Sequence, residues 1–139
     1  MCSMNDDEFL AAFVNCTLPF EQWNHIAHVG VAFQYASRHD PNTAIDKMRA
    51  GVQAYNAANN VPEAIDQGYH ESVAQAFMRL IVAANRQTGP HSSADEFCQR
   101  HPDLLDKRAL LHFYSSERIM SWEAKVKFVE PNLRSLPAI

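Results

Sequence analysis

Histidine is the residue type in this sequence that could most readily do chemistry. His25 and His28 lie three positions apart in residues 23–28 (WNHIAH), and His70 follows in residues 69–71 (YHE). Residues three apart share one face of a helix, so the first two imidazoles can converge on a single ion. A later helix of a bundle can bring a third imidazole to them.

Three neutral imidazoles with one open coordination position are typical of a catalytic divalent metal site. We therefore predict that His25, His28 and His70 bind zinc or iron, which would activate a water molecule and polarise a substrate oxygen. Glu71 is predicted to be a general base or a residue that orients an imidazole, and Tyr69 a catalytic residue beside it. The predicted function is a metal-dependent enzyme that acts on a small polar molecule.

Three other interpretations use the same residues. Without a metal, residues 69–71 open a helix after Gly68, where backbone N–H groups favour an anion. His70 could then be a general acid or base with Tyr69, Tyr55 or Tyr35 as hydrogen-bond partner. The chain could instead be a non-catalytic module that binds a small molecule or a partner protein in a pocket lined by histidine and tyrosine. In the third interpretation the histidines have a structural role and form hydrogen bonds within a polar core. An H-x-x-H pair is common by chance, which favours this interpretation.

Two predicted helices position these residues. In the first, over residues 20–38, positions 25, 28, 32 and 35 fall on one stripe beside apolar residues, which directs both histidines toward the core. In the second, over residues 69–86, His70 lies at the N-terminal end of the buried face, and Ser72 lies on the wetter face.

Capping signals divide the rest of the chain into further helices. Asn5 with Glu8 and Ser93 with Glu96 have capping-box spacing, and Asp40 followed by proline is a strong helix start. Short helical pieces are predicted over residues 108–114 and 121–128. The sequence predicts a single all-α domain over residues 1–139, a bundle of four main helices with short C-terminal helices.

Composition excludes several classes of function. The 139 residues are 47% apolar and 20% charged, with a formal net charge of −4 and scattered basic residues. We expect no nucleic-acid partner and no membrane partner, because no basic patch and no bilayer-length apolar run is present. The acidic N-terminus and an odd number of cysteines predict a cytoplasmic protein. A small-molecule ligand or substrate is expected, and an exposed apolar helix face could support a homodimer.

The two histidine segments resemble an uncharacterised family of small bacterial helical proteins. Its members carry a W-[TN]-H-x-A-H segment and a later G-Y-H-E-[ST] segment, and Ser72 stands here where threonine is expected. The resemblance extends over most of the chain, through residues 49–51, 55–56, 100–102, 114–115 and 129–133. It implies that His25, His28 and residues 69–71 belong to one recurring pattern, and it implies no substrate.

Overall fold

The computed structural model describes residues 5–139, and regular structure in that range is helical except for one isolated bridge between Ala64 and Gln67. Residues 1–4, which include Cys2 and the beginning of the acidic N-terminus, lie outside the described range. The α-helices are α1 (Asp6–Val14), α2 (His25–Arg38), α3 (Pro41–Ala58), α4 (Glu71–Thr88), α5 (Ala94–Arg100), α6 (Ser116–Ile119) and α7 (Trp122–Val126). Three 3₁₀ segments accompany them, namely Phe20–Gln22, Pro102–Leu105 and Lys107–His112. The predicted all-α class is confirmed.

Side-chain caps determine where most of these helices begin. Asn5 and Glu8 form the expected reciprocal capping box, and the Asp40 carboxylate accepts from the N–H of Thr43. The Ser93 hydroxyl accepts from the N–H of Glu96, but the Glu96 carboxylate accepts from Ser92 and not from the N-cap residue. Each cap satisfies an amide that has no partner within its helix. None of the helices within residues 5–139 is long and apolar enough to cross a membrane.

The first histidine segment begins differently from the prediction. The helix expected over residues 20–38 is a 3₁₀ turn, Phe20–Gln22, followed by a break and then α2. The break occurs because the Asn24 side chain accepts from the N–H of Ala27, which makes Asn24 an N-cap and His25 the first helical residue. Trp23 therefore lies before the helix.

Helix α2 is the centre of the bundle and contacts α1, α3, α4 and α5. Residues 31–35 are all buried, so this part of α2 has no polar face. A helix that is buried all round must be enclosed by other elements. His25 and His28 project from the N-terminal end of α2, where this enclosure is incomplete.

The chain after α7, at residues 127–129, covers a side of α4 that the sequence pattern predicts to face solvent. Ser72 is fully buried, and its hydroxyl donates to the carbonyl of Lys127 at 2.8 Å and accepts from the N–H of Val129 at 3.0 Å. The Tyr114 hydroxyl donates to the carbonyl of Val129 at 2.7 Å. The expectation that Ser72 faces solvent is wrong, because these long-range hydrogen bonds hold the chain after α7 against α4.

Replacing Ser72 by alanine should lower the free energy of unfolding by about 1–3 kcal/mol, because the buried N–H of Val129 loses its acceptor. Urea unfolding followed by circular dichroism measures the change. Ser135→Ala, at an exposed position, is the control and should change the value by less than about 0.5 kcal/mol. Equal stabilities for the two variants would contradict the role given to Ser72.

Candidate functional site

A cavity of about 140 Å³ lies between α2, α3 and α4, and all three predicted histidines line it. Tyr69 and Gly68 also line it, so the structure brings four of the five predicted site residues to one space. We call this space the inner cavity. Its other lining side chains are apolar: Val29, Ala32, Met48, Val52, Val73, Ala74, Phe77 and Ile81.

Both ring nitrogens of His70 form hydrogen bonds with the backbone. Nδ1 accepts from the N–H of Val73 at 3.1 Å, which makes His70 the N-cap of α4, and Nε2 donates to the carbonyl of Ile119 at 2.8 Å. These two bonds require the neutral ring with its proton on Nε2. Burial lowers the pKa of His70, although the Ile119 carbonyl opposes the change. The ring therefore joins the start of α4 to the end of α6.

His25 uses one of its two ring nitrogens in the same way. Nε2 donates to the carbonyl of Leu104 at 3.0 Å, and the ring lies edge-on to Phe77 with 4.9 Å between centroids. Burial lowers the pKa of His25, and the Leu104 carbonyl partly opposes this. With the proton on Nε2, the Nδ1 lone pair of His25 remains available as an acceptor.

His28 is held by stacking. Its ring lies 4.0 Å from the Trp23 ring, and Trp23 stacks in turn on the fully buried Phe13 at 4.5 Å. Burial, followed by the charges of His25 and Lys107, lowers the pKa of His28 to about 3. The imidazole is therefore neutral at physiological pH and offers one donor and one acceptor.

Tyr69 is positioned by the loop that precedes α4. Gly68 has φ +84°, and a β-carbon there would collide with the Glu63 carboxylate, whose Oε2 accepts from the N–H of Tyr69 at 3.1 Å. The Tyr69 hydroxyl is buried beside the Glu71 carboxylate and the Arg49 guanidinium, although no contact within residues 5–139 has the distance and angle of a full hydrogen bond. Burial and the nearby charge of Glu71 raise the pKa of Tyr69. The hydroxyl end of Tyr69 therefore lies at the Arg49–Glu71 pair, and neither Arg49 nor Glu71 lines the inner cavity.

Glu71 lies beside the inner cavity and is bound by Arg49 of α3. The guanidinium donates from Nε to Oε1 at 2.8 Å and from Nη2 to Oε2 at 2.7 Å, and Gln75 also donates to Oε2. The hydrogen bonds from Arg49 lower the pKa of Glu71. Its carboxylate thus ties α3 to α4, and a general base would require a pKa nearer neutrality.

The side chains, as they are arranged, do not form a ready metal site. Within residues 5–139, no three His, Cys, Asp or Glu side chains are grouped so that they could hold a metal ion. His70 would have to give up a helix cap or a carbonyl bond before either nitrogen could coordinate. The predicted zinc or iron ion therefore stays a prediction that requires rearrangement of this ring.

A wider opening of about 570 Å³ adjoins the inner cavity, and we call it the outer cleft. Both are lined by the three histidines, Gly68, Val73 and Phe77. The outer cleft is also lined by exposed apolar side chains and by charged ones: Ile65, Leu111 and Met120, and Asp66, Lys107, Arg108 and Lys125. The histidine rings thus lie between a small apolar interior and a larger opening that has both apolar and charged side chains.

Sequence reasoning missed three charged residues at this site. Arg49 belongs to residues 49–51, one of the segments that carry the family resemblance. That position is the feature of the sequence that could have identified Arg49 as a site residue. Lys125 is buried, and its Nζ donates to the carbonyls of Gln67 and Tyr69, both at 2.7 Å. Nothing in the local sequence marks Lys125 or Lys107, because α7 and the 3₁₀ segment reach the cleft only through the tertiary fold.

Replacing His70 by alanine should lower the free energy of unfolding by about 1.5–3 kcal/mol, since a helix cap and a bond to the Ile119 carbonyl are both lost. His70→Asn is the matched variant, because asparagine can cap α4 but is too short to replace the imidazole. It should recover about 1 kcal/mol. Urea unfolding measures both, and equal losses would contradict the capping role.

The buried neutral His28 should make the fold less stable as pH falls. Its folded pKa of about 3 lies below the usual 6.5, so the unfolded chain takes up a proton that the folded chain does not. This contribution to stability is complete above about pH 6.5 and is lost progressively toward pH 3, by at most about 1.4 kcal/mol per pH unit. Unfolding of His28→Gln should depend less steeply on pH between about pH 7 and pH 5 than unfolding of the wild type. Parallel pH profiles would contradict this, as would an NMR titration of the His28 ring near neutrality.

Comparisons with known proteins leave the site to be interpreted from its own geometry. No family model, no curated protein and no solved structure matches the chain. The resemblance to the small bacterial helical family therefore stays a prediction.

Proposed function

We propose that the chain binds a small, mostly apolar molecule, about the size of one aromatic ring, in the inner cavity. The observation that carries the proposal is an apolar space lined by three histidines whose pKa values are all lowered by burial, so that their rings are neutral. Binding pockets combine apolar walls with a few polar groups in this way.

The volume of the inner cavity indicates the size of the ligand. An engineered apolar cavity of about 150 Å³ in a protein core binds benzene. The inner cavity, at about 140 Å³, is close to that volume. One ring with one small substituent is the largest rigid body that we expect to enter without movement of the helices.

The polar groups indicate the chemistry of the ligand. His25 Nδ1 can accept a hydrogen bond because Nε2 is committed to Leu104. A ligand hydroxyl or ring N–H would satisfy such a group. A charge inside the inner cavity is disfavoured, because its walls are apolar and its imidazoles are neutral.

Binding without catalysis agrees best with the state of the polar residues. Glu71, the predicted base, is held by Arg49, and its pKa is lowered further from neutrality by that pairing. Both nitrogens of His70 hold the backbone. Proton transfer at neutral pH favours groups whose pKa lies near 7, and the pKa values of Glu71 and His70 are both shifted downward, away from 7.

The alternative is the metal-dependent enzyme predicted from the sequence, with His25, His28 and His70 as ligands and Tyr69 and Glu71 beside them. The observation that favours it is that all three imidazoles line one cavity. It requires His70 to release a backbone bond on metal binding. Zinc or iron bound at one ion per chain, and lost in His70→Asn, would favour this alternative.

A cytoplasmic location and a homodimer complete the proposal. The location is supported by Cys16 and Cys98, both of which are free thiols. Exposed apolar side chains on α7, Trp122 and Val126, support the homodimer.

Phenol should bind the wild-type protein with a dissociation constant of roughly 1 mM or tighter, as expected for so small a ligand in a fitted cavity. Amide chemical-shift changes in a phenol titration measure the affinity and should centre on Gly68 and Val73. Ala74→Leu places a larger side chain in the inner cavity and should weaken phenol binding at least tenfold.

Ala54→Leu makes the same change at an exposed position of α3 and should leave phenol binding unchanged. The folded state of both variants is checked by circular dichroism. Absence of saturable phenol binding to the wild type, or equal binding to both variants, would contradict the proposed function.

A further inference from the structure

The outer cleft carries positive charge although the chain as a whole is acidic. Lys107, Arg108 and Lys125 line it, and Asp66 is its one acidic lining residue within the described range. The whole chain has a formal charge of −4. A concave opening whose lining has an excess of one charge favours ligands of the opposite charge.

Two of the three cations are already occupied by the protein. Lys125 Nζ donates to two backbone carbonyls and lies 3.6 Å from the Glu63 carboxylate. Arg108 pairs with Asp106, with Nη2 3.1 Å from Oδ2. Lys125 thus holds the loop before α4 against α7, whereas the Arg108–Asp106 pair is local and exposed, so that part of the Arg108 charge remains for a ligand.

Lys107 is the cation that the fold leaves free. It is exposed and forms no ion pair within residues 5–139. It also lies near the histidines. Burial is the main cause of the lowered pKa of His25 and His28, but the charge of Lys107 lowers both as well. Lys107 thus lines the outer cleft together with His25 and His28, and the opposite charge of Asp106 also reaches His25.

We propose that the ligand of this site carries one carboxylate: its ring occupies the inner cavity and its carboxylate lies in the outer cleft at Lys107, beside Arg108. This inference rests on the proposed function, because it adds a carboxylate to the ring-sized ligand proposed there. A ligand confined to the inner cavity would leave the outer cleft and its free ammonium unused. One negative charge matches one free cation, whereas the nearby carboxylates of Asp66 and Asp106 disfavour a dianion such as a phosphate monoester.

Three probes of nearly the same shape test the charge preference. Benzoate, benzamide and benzamidine are anionic, neutral and cationic, so their dissociation constants isolate the effect of charge at one position. We expect benzoate to bind about two- to fivefold more tightly than benzamide, as one partly exposed ion pair would give, and benzamidine to bind most weakly. Raising the salt concentration from about 20 mM to about 500 mM should reduce the benzoate preference.

Lys107→Gln is the decisive variant, and Lys47→Gln is its control. Both remove one positive charge, but Lys47 is exposed on α3 and does not line the cleft. The ratio of the benzamide to the benzoate dissociation constant should fall to about one in Lys107→Gln and stay at the wild-type value in Lys47→Gln.

The outcomes separate this inference from the proposed function. If phenol binds but benzoate shows no preference over benzamide, or if Lys107→Gln keeps the preference, the carboxylate assignment is overturned and the inner cavity stands. Phenyl phosphate binding more tightly than benzoate would overturn the assignment to a single negative charge. If none of the probes binds, phenol included, the proposed function fails and this inference fails with it.

Discussion

The imidazole of His70 imposes the constraint on which the site depends. One ring must accept from the N–H of Val73 and donate to the carbonyl of Ile119, so its tautomer, its charge and its orientation are all determined. A second proton would place an N–H against the N–H of Val73 and remove the cap of α4. The cap of α4 therefore requires the neutral ring, whereas the bond from Nε2 to the Ile119 carbonyl would survive protonation.

A row of close ring contacts imposes a similar constraint on the other wall. Gly51 allows the Phe13 ring to approach so closely that a β-carbon would lie 2.6 Å from it. Phe13 supports Trp23, which supports His28. The orientation of His28 in α2 thus depends on the contact between Phe13 of α1 and Gly51 of α3. In a close-packed core, one ring of such a row can seldom move without its neighbours.

The sequence predicts more of the fold than of the site, and the reason is the range of the interactions. Caps such as Asn5 and Asp40 act within three residues, and the helical period directs the histidines inward, so these features follow from local pattern. The partners of His25 and His70 are carbonyls 79 and 49 positions away, which no local pattern specifies. The same limit applies to Ser72, whose burial depends on the chain near Lys127, and to Glu71, whose partner Arg49 belongs to another helix.

The division into an inner cavity and an outer cleft has a consequence for how such a protein can evolve. Side chains such as Val29 and Ile81 belong to both the wall of the inner cavity and the hydrophobic core, so replacing them alters folding as well as the shape of the cavity. Ile65, Leu111 and Met120 are exposed at the rim and can vary with little effect on the fold. Descendants of one ancestor could therefore diverge in what they recognise by changing the rim alone, while the histidine-lined interior is inherited intact.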